Sequence, residues 1–228
     1  MGRMTEHRPH TVTKHDYIPA FGKDALLPFY DLLTRVLGMN RVYDALLAQA
    51  ELADGLRVLE IGCGTGNVTV RAKRAAPGAD VIGSDPDPLA LARAQRKARG
   101  LTGIRFERAY AQELPYEDGE FDLALSSMML HHLDDDAKAG AAAELYRVLR
   151  PGGTLHIVDI GGQTTAHDGL AARWMKHNPH AAGNLGDAIP RLLRSVGFDC
   201  AEVGSRRHRL IGPLTFYRAT RLVVRQRR

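Results

Sequence analysis

The sequence predicts an open α/β sheet with helices on both faces, and three observations carry that prediction. Short apolar strands alternate with amphipathic helices from about residue 58 to residue 158. The first strand, Val58-Leu59-Glu60-Ile61, runs straight into Gly62-Cys63-Gly64-Thr65-Gly66 and then into a helix. The next strand closes on an acid, Asp85. Such alternation implies parallel strands joined by right-handed crossovers, with ligands bound outside the carboxyl ends of the strands.

The elements follow in order. Within 25–37, Leu26, Leu27, Phe29, Tyr30, Leu33 and Leu37 cluster at helical spacing, and after Gly38 the residues Val42, Leu46, Leu47 and Ala50 continue a second amphipathic helix. Residues 1–50 are therefore expected to form a helical cap on a domain of residues 51–228, the two making one compact unit. A helix over 68–76 stops at Pro77-Gly78, a strand over 81–83 ends at Ser84-Asp85-Pro86, and a helix over 88–99 ends at Gly100. Strands are predicted over 104–106, 121–125 and 154–158. Asp134, Asp135 and Asp136 precede a helix over 137–149, where negative charge suits the exposed amides of the helix start, and Pro151-Gly152-Gly153 terminates it. Beyond Val158 come a polar stretch over 161–187, a helix over 188–196 and strands over 198–203 and 214–224. A loop holding Gly212-Pro213 would let those two strands pair antiparallel at one sheet edge.

Composition narrows the function classes. The chain has 228 residues, 44% hydrophobic and 25% charged, enough for a real core without disulfides or a structural metal. Two cysteines, Cys63 and Cys200, are too few for a disulfide framework or zinc site, which fits a reducing, cytoplasmic setting. The first six residues carry no apolar stretch or acylation signal, and no run of about 18 apolar residues offers a membrane span. Residues 206–228 hold eight arginines and no acid, which makes an anionic lipid surface a candidate peripheral partner. No aromatic-rich basic cluster points to nucleic acid.

The glycine loop and its flanking acids carry the chemistry. Glycines in a strand-to-helix turn let the backbone approach a ligand where a Cβ would collide. A dinucleotide site would space them G-x-G-x-x-G, with pyrophosphate on the helix amino terminus; here the spacing is G-x-G-x-G, and Glu60 stands two residues ahead. A carboxylate there repels pyrophosphate and attracts a cationic amine, which opposes a nicotinamide cofactor and favours an amino-acid derivative. Asp85 is placed to accept both hydroxyls of a ribose, with Pro86 against an adenine face.

These residues, together with Ala111-Gln112-Glu113-Leu114-Pro115-Tyr116, Phe121-Asp122, Leu130-His131-His132-Leu133 and Arg147-Val148-Leu149-Arg150-Pro151-Gly152-Gly153, resemble class I S-adenosylmethionine-dependent methyltransferases. The branch most resembled contains the ubiquinone/menaquinone C-methyltransferases, a likeness that extends to Phe29-Tyr30-Asp31-Leu32-Leu33. The resemblance implies a Rossmann-like, doubly wound, seven-stranded sheet, mostly parallel with an antiparallel edge strand, and S-adenosylmethionine as cofactor, leaving S-adenosylhomocysteine as product. It implies that Gly62, Cys63, Gly64, Thr65 and Gly66 hold the methionine part, with Glu60 oriented toward it directly or through water. Asp85 and Pro86 take the nucleoside, Tyr110 and Ala111 the adenine edge, and Ser127 lies beneath the methionine end. Many relatives have Asp or Asn where this chain has Tyr110.

The expected activity is methyl transfer to a small or lipid-like acceptor such as a quinone, phenol or amine. The alternative is a regulatory or assembly protein that binds the cofactor without transfer. His131 and His132 follow the fourth strand, where one could act as general base; otherwise they pack around the cofactor carboxylate. Asp159, at the end of the fifth strand, faces the site more readily than His156. Trp174 and His177 are read as lining a lid over the acceptor, and Tyr17, Phe21 and Tyr30 as the opposite wall. His177 and His180 are no metal pair, since Pro179 lies between them and a third ligand is lacking, so no metal is expected. Cys63 suits a tight loop better than a nucleophile's role. Nucleic acid is not an expected substrate, because Ser126-Ser127-Met128-Met129 stands where a base-flipping methyltransferase carries Asn-Pro-Pro-Tyr.

Overall fold

The computed structural model describes residues 34, 36–162, 183–208 and 211–223. Its strands are β1 (Arg57–Ile61), β2 (Asp80–Asp85), β3 (Ile104–Arg108), β4 (Phe121–Ser127), β5 (Leu149–Ile160), β6 (Phe198–His208) and β7 (Gly212–Arg221). Its helices are α1 (Met39–Ala50), α2 (Asn67–Ala75), α3 (Pro88–Lys97), α4 (Asp135–Val148) and α5 (Ala188–Ser195). The strands form one seven-stranded sheet in the order β3-β2-β1-β4-β5-β7-β6. The β1, β2, β3, β4 and β5 pairings are parallel, and β7 alone runs against its neighbours, inserted between β5 and β6.

Strand alternation divides the apolar residues between the two faces. On β1, Val58 points into a layer with Val42, Leu46 and Ala50 of α1 and Val68 and Ala72 of α2. Leu59 and Ile61 point to the opposite layer, with Ala142, Leu145 and Val148 of α4 and Ile189 and Leu193 of α5. Glu60 shares the α1/α2 side with Val58 and is 2% exposed there. The sheet is thus wound on both faces, and its first crossover point, between β1 and β4, opens at their carboxyl ends.

Acids start two helices, the one expected at Asp134 and a second at Asp87. The Asp87 carboxylate accepts from Leu89 N at 2.8 Å ahead of Pro88, and Asp134 accepts from Ala137 N at 2.8 Å. Two segments differ from the sequence reading. Pro151-Gly152-Gly153 does end α4, yet it lies within β5. Phe121 pairs with Leu149 but Leu123 pairs with Thr154, so the strand absorbs the glycines as an irregularity. Gly212 and Pro213 lie within β7, paired with His208 and Arg207, because β6 continues past Val203 through a bulge between Glu202 and Gly204. Most of the helix expected over 25–37, and with it most of the expected cap, lies outside the described residues.

Candidate active site

The turn from β1 to α2 is built by glycines under different constraints. At Gly62 (φ 64°) a Cβ would come within 2.2 Å of Met129 Cγ, and at Gly66 (φ 76°) within 2.8 Å of the Ala94 Cβ. Any side chain would push the loop away from its neighbours on both sides. Gly64 differs, because nothing lies within 4 Å of its would-be Cβ; it borders a cleft of about 330 Å³.

That cleft gathers most of the residues expected to hold the cofactor. Glu60, Gly62, Cys63, Gly64, Thr65, Asp85, Pro86, Tyr110, Ala111 and Ser127 all line it. Gly66 does not; it sits behind the loop against α3 and β3. Asp85 stands at the end of β2 with one oxygen 2.8 Å from Gly64 N and the other 2.9 Å from Asp87 N. Burial is the largest influence on its carboxyl and lifts its pKa above the usual 3.8, against those two amides. Each oxygen retains acceptor capacity toward hydroxyl groups in the cleft. Past β3, Glu113 N bonds Tyr110 O at 3.0 Å, closing the turn that carries Tyr110 and Ala111 to the rim.

Glu60 is the buried acid of the cleft. Thr69, in the first turn of α2, donates its hydroxyl to Oε2. Desolvation dominates and pushes the carboxyl up to about 8, with Asp85 adding to the effect and Thr69 and Lys97 opposing it. The Lys97 ammonium lies 2.8 Å from both Thr65 Oγ1 and Asn67 Oδ1, tying α3 to the loop. Cys63 is buried beside Glu60; burial raises its thiol pKa well above the usual 9, which keeps it protonated and argues against a nucleophilic role.

The opposite wall is made after β4. Met128 takes a left-handed conformation (φ 56°), uncommon for a side chain of its size, with its N bonded to Val158 O at 2.8 Å. Met129 and His132 follow, and Tyr43 of α1 closes the side. His131 does not line the cleft. Its Nδ1 lies 2.6 Å from Asp159 Oδ1, and its ring packs on that of His132 with centroids 4.1 Å apart. Asp159 is fully buried and also accepts from Leu130 N at 2.8 Å and Ile160 N at 2.7 Å. It therefore reaches the site only through His131 and the turn it anchors. His156 is buried elsewhere, between Gln49 Nε2 at 3.1 Å and Thr154 Oγ1 at 3.2 Å.

Tyr43, Met128, Met129 and Asp134 also line the cleft and were not singled out by sequence. Tyr43 sits on the same stripe as Val42, Leu46 and Leu47, so its pattern reads as core. Tyr17, Phe21, Tyr30, Trp174, His177 and His180 lie outside the described residues. Among the described residues no group of three His, Cys, Asp or Glu side chains is placed to hold a metal, and no helix is long and apolar enough to cross a membrane. Of the basic stretch, Arg206 and Arg218 are exposed, whereas Arg221 is spent on Arg147 O and Leu149 O and on the Tyr146 ring.

Comparison with known proteins gives the family and the fold. A family described as a methyltransferase domain matches residues 58–153. A demethylmenaquinone methyltransferase of Thermus thermophilus is 38% identical over 157 residues, covering 65% of this chain and 68% of that protein. An uncharacterized Mycobacterium tuberculosis protein is 41% identical over 115 residues, half of this chain and 40% of that one. Among solved structures, phosphoethanolamine N-methyltransferase 2 of Haemonchus contortus, in complex with S-adenosyl-L-methionine, superposes with a TM-score of 0.71 at 17% identity over 90% of this chain and 58% of that one. At that identity the likeness is one of fold.

Proposed function

The chain belongs to the class I S-adenosylmethionine-dependent methyltransferases, and on that premise we propose that it methylates a small or lipid-like acceptor, with a reduced quinone or related phenol as the first candidate. The observation that carries the reading is the junction at the carboxyl ends of β1 and β2. A buried acid, a glycine turn with open space over Gly64, and a second acid lining the cleft form one continuous wall. The donor set fits the cofactor in charge and shape: Asp85 toward the ribose hydroxyls, Glu60 toward an ammonium, the glycine turn against the methionine chain, and Tyr110 and Ala111 at the adenine. The sulfonium supplies an already activated methyl group. The protein's task is then positioning. The turn at Gly62 sets one side of the reacting geometry, and Tyr43, Met128, Met129 and His132 bound the other and exclude water.

The quinone preference draws on the relative named above, which spans about two-thirds of this chain. An approach to anionic lipid is part of the reading, supported by exposed Arg206 and Arg218, and cosedimentation with anionic vesicles tests it; no binding above that to neutral vesicles discards it. The central experiment offers radiolabelled S-adenosylmethionine with demethylated hydroquinones, catechols and amines, and identifies the product by mass spectrometry. Methylation of a hydroquinone or catechol is the expected result. S-adenosylhomocysteine binding with no transfer to any acceptor would favour a binding protein, and NADH binding alone would overturn the cofactor.

A further inference from the structure

Resting on the cofactor reading above, we propose that Lys97 is a positioning residue for the cofactor. From outside the cleft it holds the second half of the glycine turn in the shape that receives the methionine part.

The two halves of the turn are anchored to different elements. Cys63 N bonds Ser84 O at 3.0 Å and Gly64 N bonds Asp85 Oδ2 at 2.8 Å, so the first half is fixed to the end of β2. The second half, Thr65 to Asn67, has at its centre Gly66 in a left-handed conformation (φ 76°), a residue that adds no conformational preference of its own. Here the anchor comes from α3. Lys97, the last residue of that helix, places its ammonium 2.8 Å from Thr65 Oγ1 and 2.8 Å from Asn67 Oδ1, bridging Gly66. Thr65 and Asn67 line the cleft, whereas Lys97 lines a groove behind the turn, against α1 and α2.

Support of the helix start does not account for this placement. Asn67 opens α2, whose N-cap Gly66 supplies no side-chain cap and whose first turn holds no acid. The amides exposed there carry the positive end of the helix dipole, beside which a cation is unfavourable. Lys97 therefore opposes the start of α2 electrostatically while donating to two residues of the cleft wall. What the ammonium contributes is order in the turn, and that order serves a ligand lying along the turn more than one that ends at the nucleoside. A turn already ordered before binding costs the ligand nothing to order, so the contribution appears as affinity.

The test replaces Lys97 by Met in the full chain, which keeps the apolar stem and removes the donor. Calorimetric titration of Lys97→Met with S-adenosylhomocysteine should give an affinity about tenfold weaker than wild type, whereas 5′-methylthioadenosine, the nucleoside without the amino-acid part, should bind within about twofold. Hydrogen exchange read by mass spectrometry should speed up over residues 62–67 of the ligand-free variant and stay unchanged over β4 and β5. The melting temperature should stay within about 3 °C, because water from the groove can replace the ammonium and the repulsion at the helix start is relieved. Equal weakening of both ligands, with a melting temperature lowered beyond that, would assign Lys97 to general stability and overturn the proposal. Unchanged affinities, or unchanged exchange over residues 62–67, overturn it as well. Each of these leaves the cofactor reading intact, since the wild-type chain still binds S-adenosylhomocysteine; a wild-type chain that binds neither ligand sinks both.

Discussion

Each side of the cleft is held by an acid that accepts from two main-chain amides, but the β1–β3 side is shaped by a glycine turn, whereas on the β4–β7 side large side chains fill the space. Asp85 is gripped by the amides of Gly64 and Asp87, and the loop turns on glycines that leave room for neighbours. Across the cleft, Asp159 gathers His131 and the amides of Leu130 and Ile160, and Met129 fills the space that Gly62 leaves empty. The first arrangement depends on where the backbone can go, and the second on how side chains pack around Asp159.

Gly62→Ala attacks a contact at the cleft where the two sides meet. The left-handed φ costs about 1–2 kcal/mol and the collision with Met129 about 1–3 more, so unfolding free energy should fall by about 3 kcal/mol in urea titration. Adding Met129→Ala should recover the collision part and leave the backbone part. If the pair is no more stable than Gly62→Ala alone, the sides are not joined there.

Asp159→Asn should cost about 2–3 kcal/mol, since an amide oxygen is a weaker acceptor for its two main-chain amides and an amide NH2 must find a place among donors. S-adenosylhomocysteine affinity, measured by calorimetry, should stay within about threefold. A loss of affinity as large as the loss of stability would end the contrast between the two sides.

A smaller effect distinguishes the sides by pH. Glu60 titrates at about 8 in the folded protein against an ordinary 4.5, so folding takes up a proton between those values and stability falls as pH rises through that window. His156 on β5 is pushed down to about 4 by burial, with Arg218 adding, against an ordinary 6.5, so its contribution is lost as pH falls from 6.5 toward 4. From pH 8 down to 6.5 Glu60 acts alone and stability should rise by about 1.4 kcal/mol per unit; below 6.5 the two slopes oppose. Glu60→Gln should flatten the alkaline limb of a melting-temperature profile and His156→Gln the acid limb. An alkaline slope unchanged in Glu60→Gln would remove Glu60 from this account.

The β1–β3 side was the more legible one because its signals are local. A strand, a glycine turn and an acid closing the next strand fall within 28 residues, from Val58 to Asp85, and nearly all of them converge on the cleft. The other side depends on contacts that no motif announces and that only the fold brings together. His131 meets Asp159 only once β4 and β5 have paired, and Tyr43 reaches the cleft only once α1 docks on the sheet. Asp159 was read as facing the site, and only the fold shows it turned inward with its oxygens occupied. Proline and glycine misled most at strand ends. Both Pro151-Gly152-Gly153 and Gly212-Pro213 mark turns by composition, yet the first is passed over as a register shift within β5 and the second opens β7, paired with the end of β6.

The placement of β7 bears on how the protein is made. Among the described strands it is synthesised last, yet it lies between β5 and β6. Until residues 212–221 emerge, the long β5 presents an unpaired edge and β6 has no strand beside it. Closure of the sheet is a late, non-local event, slower than the local pairings of β1, β2 and β3. An open edge of that length invites pairing with other chains, so a nascent chain halted before β7 is the form of this protein that would most need a chaperone.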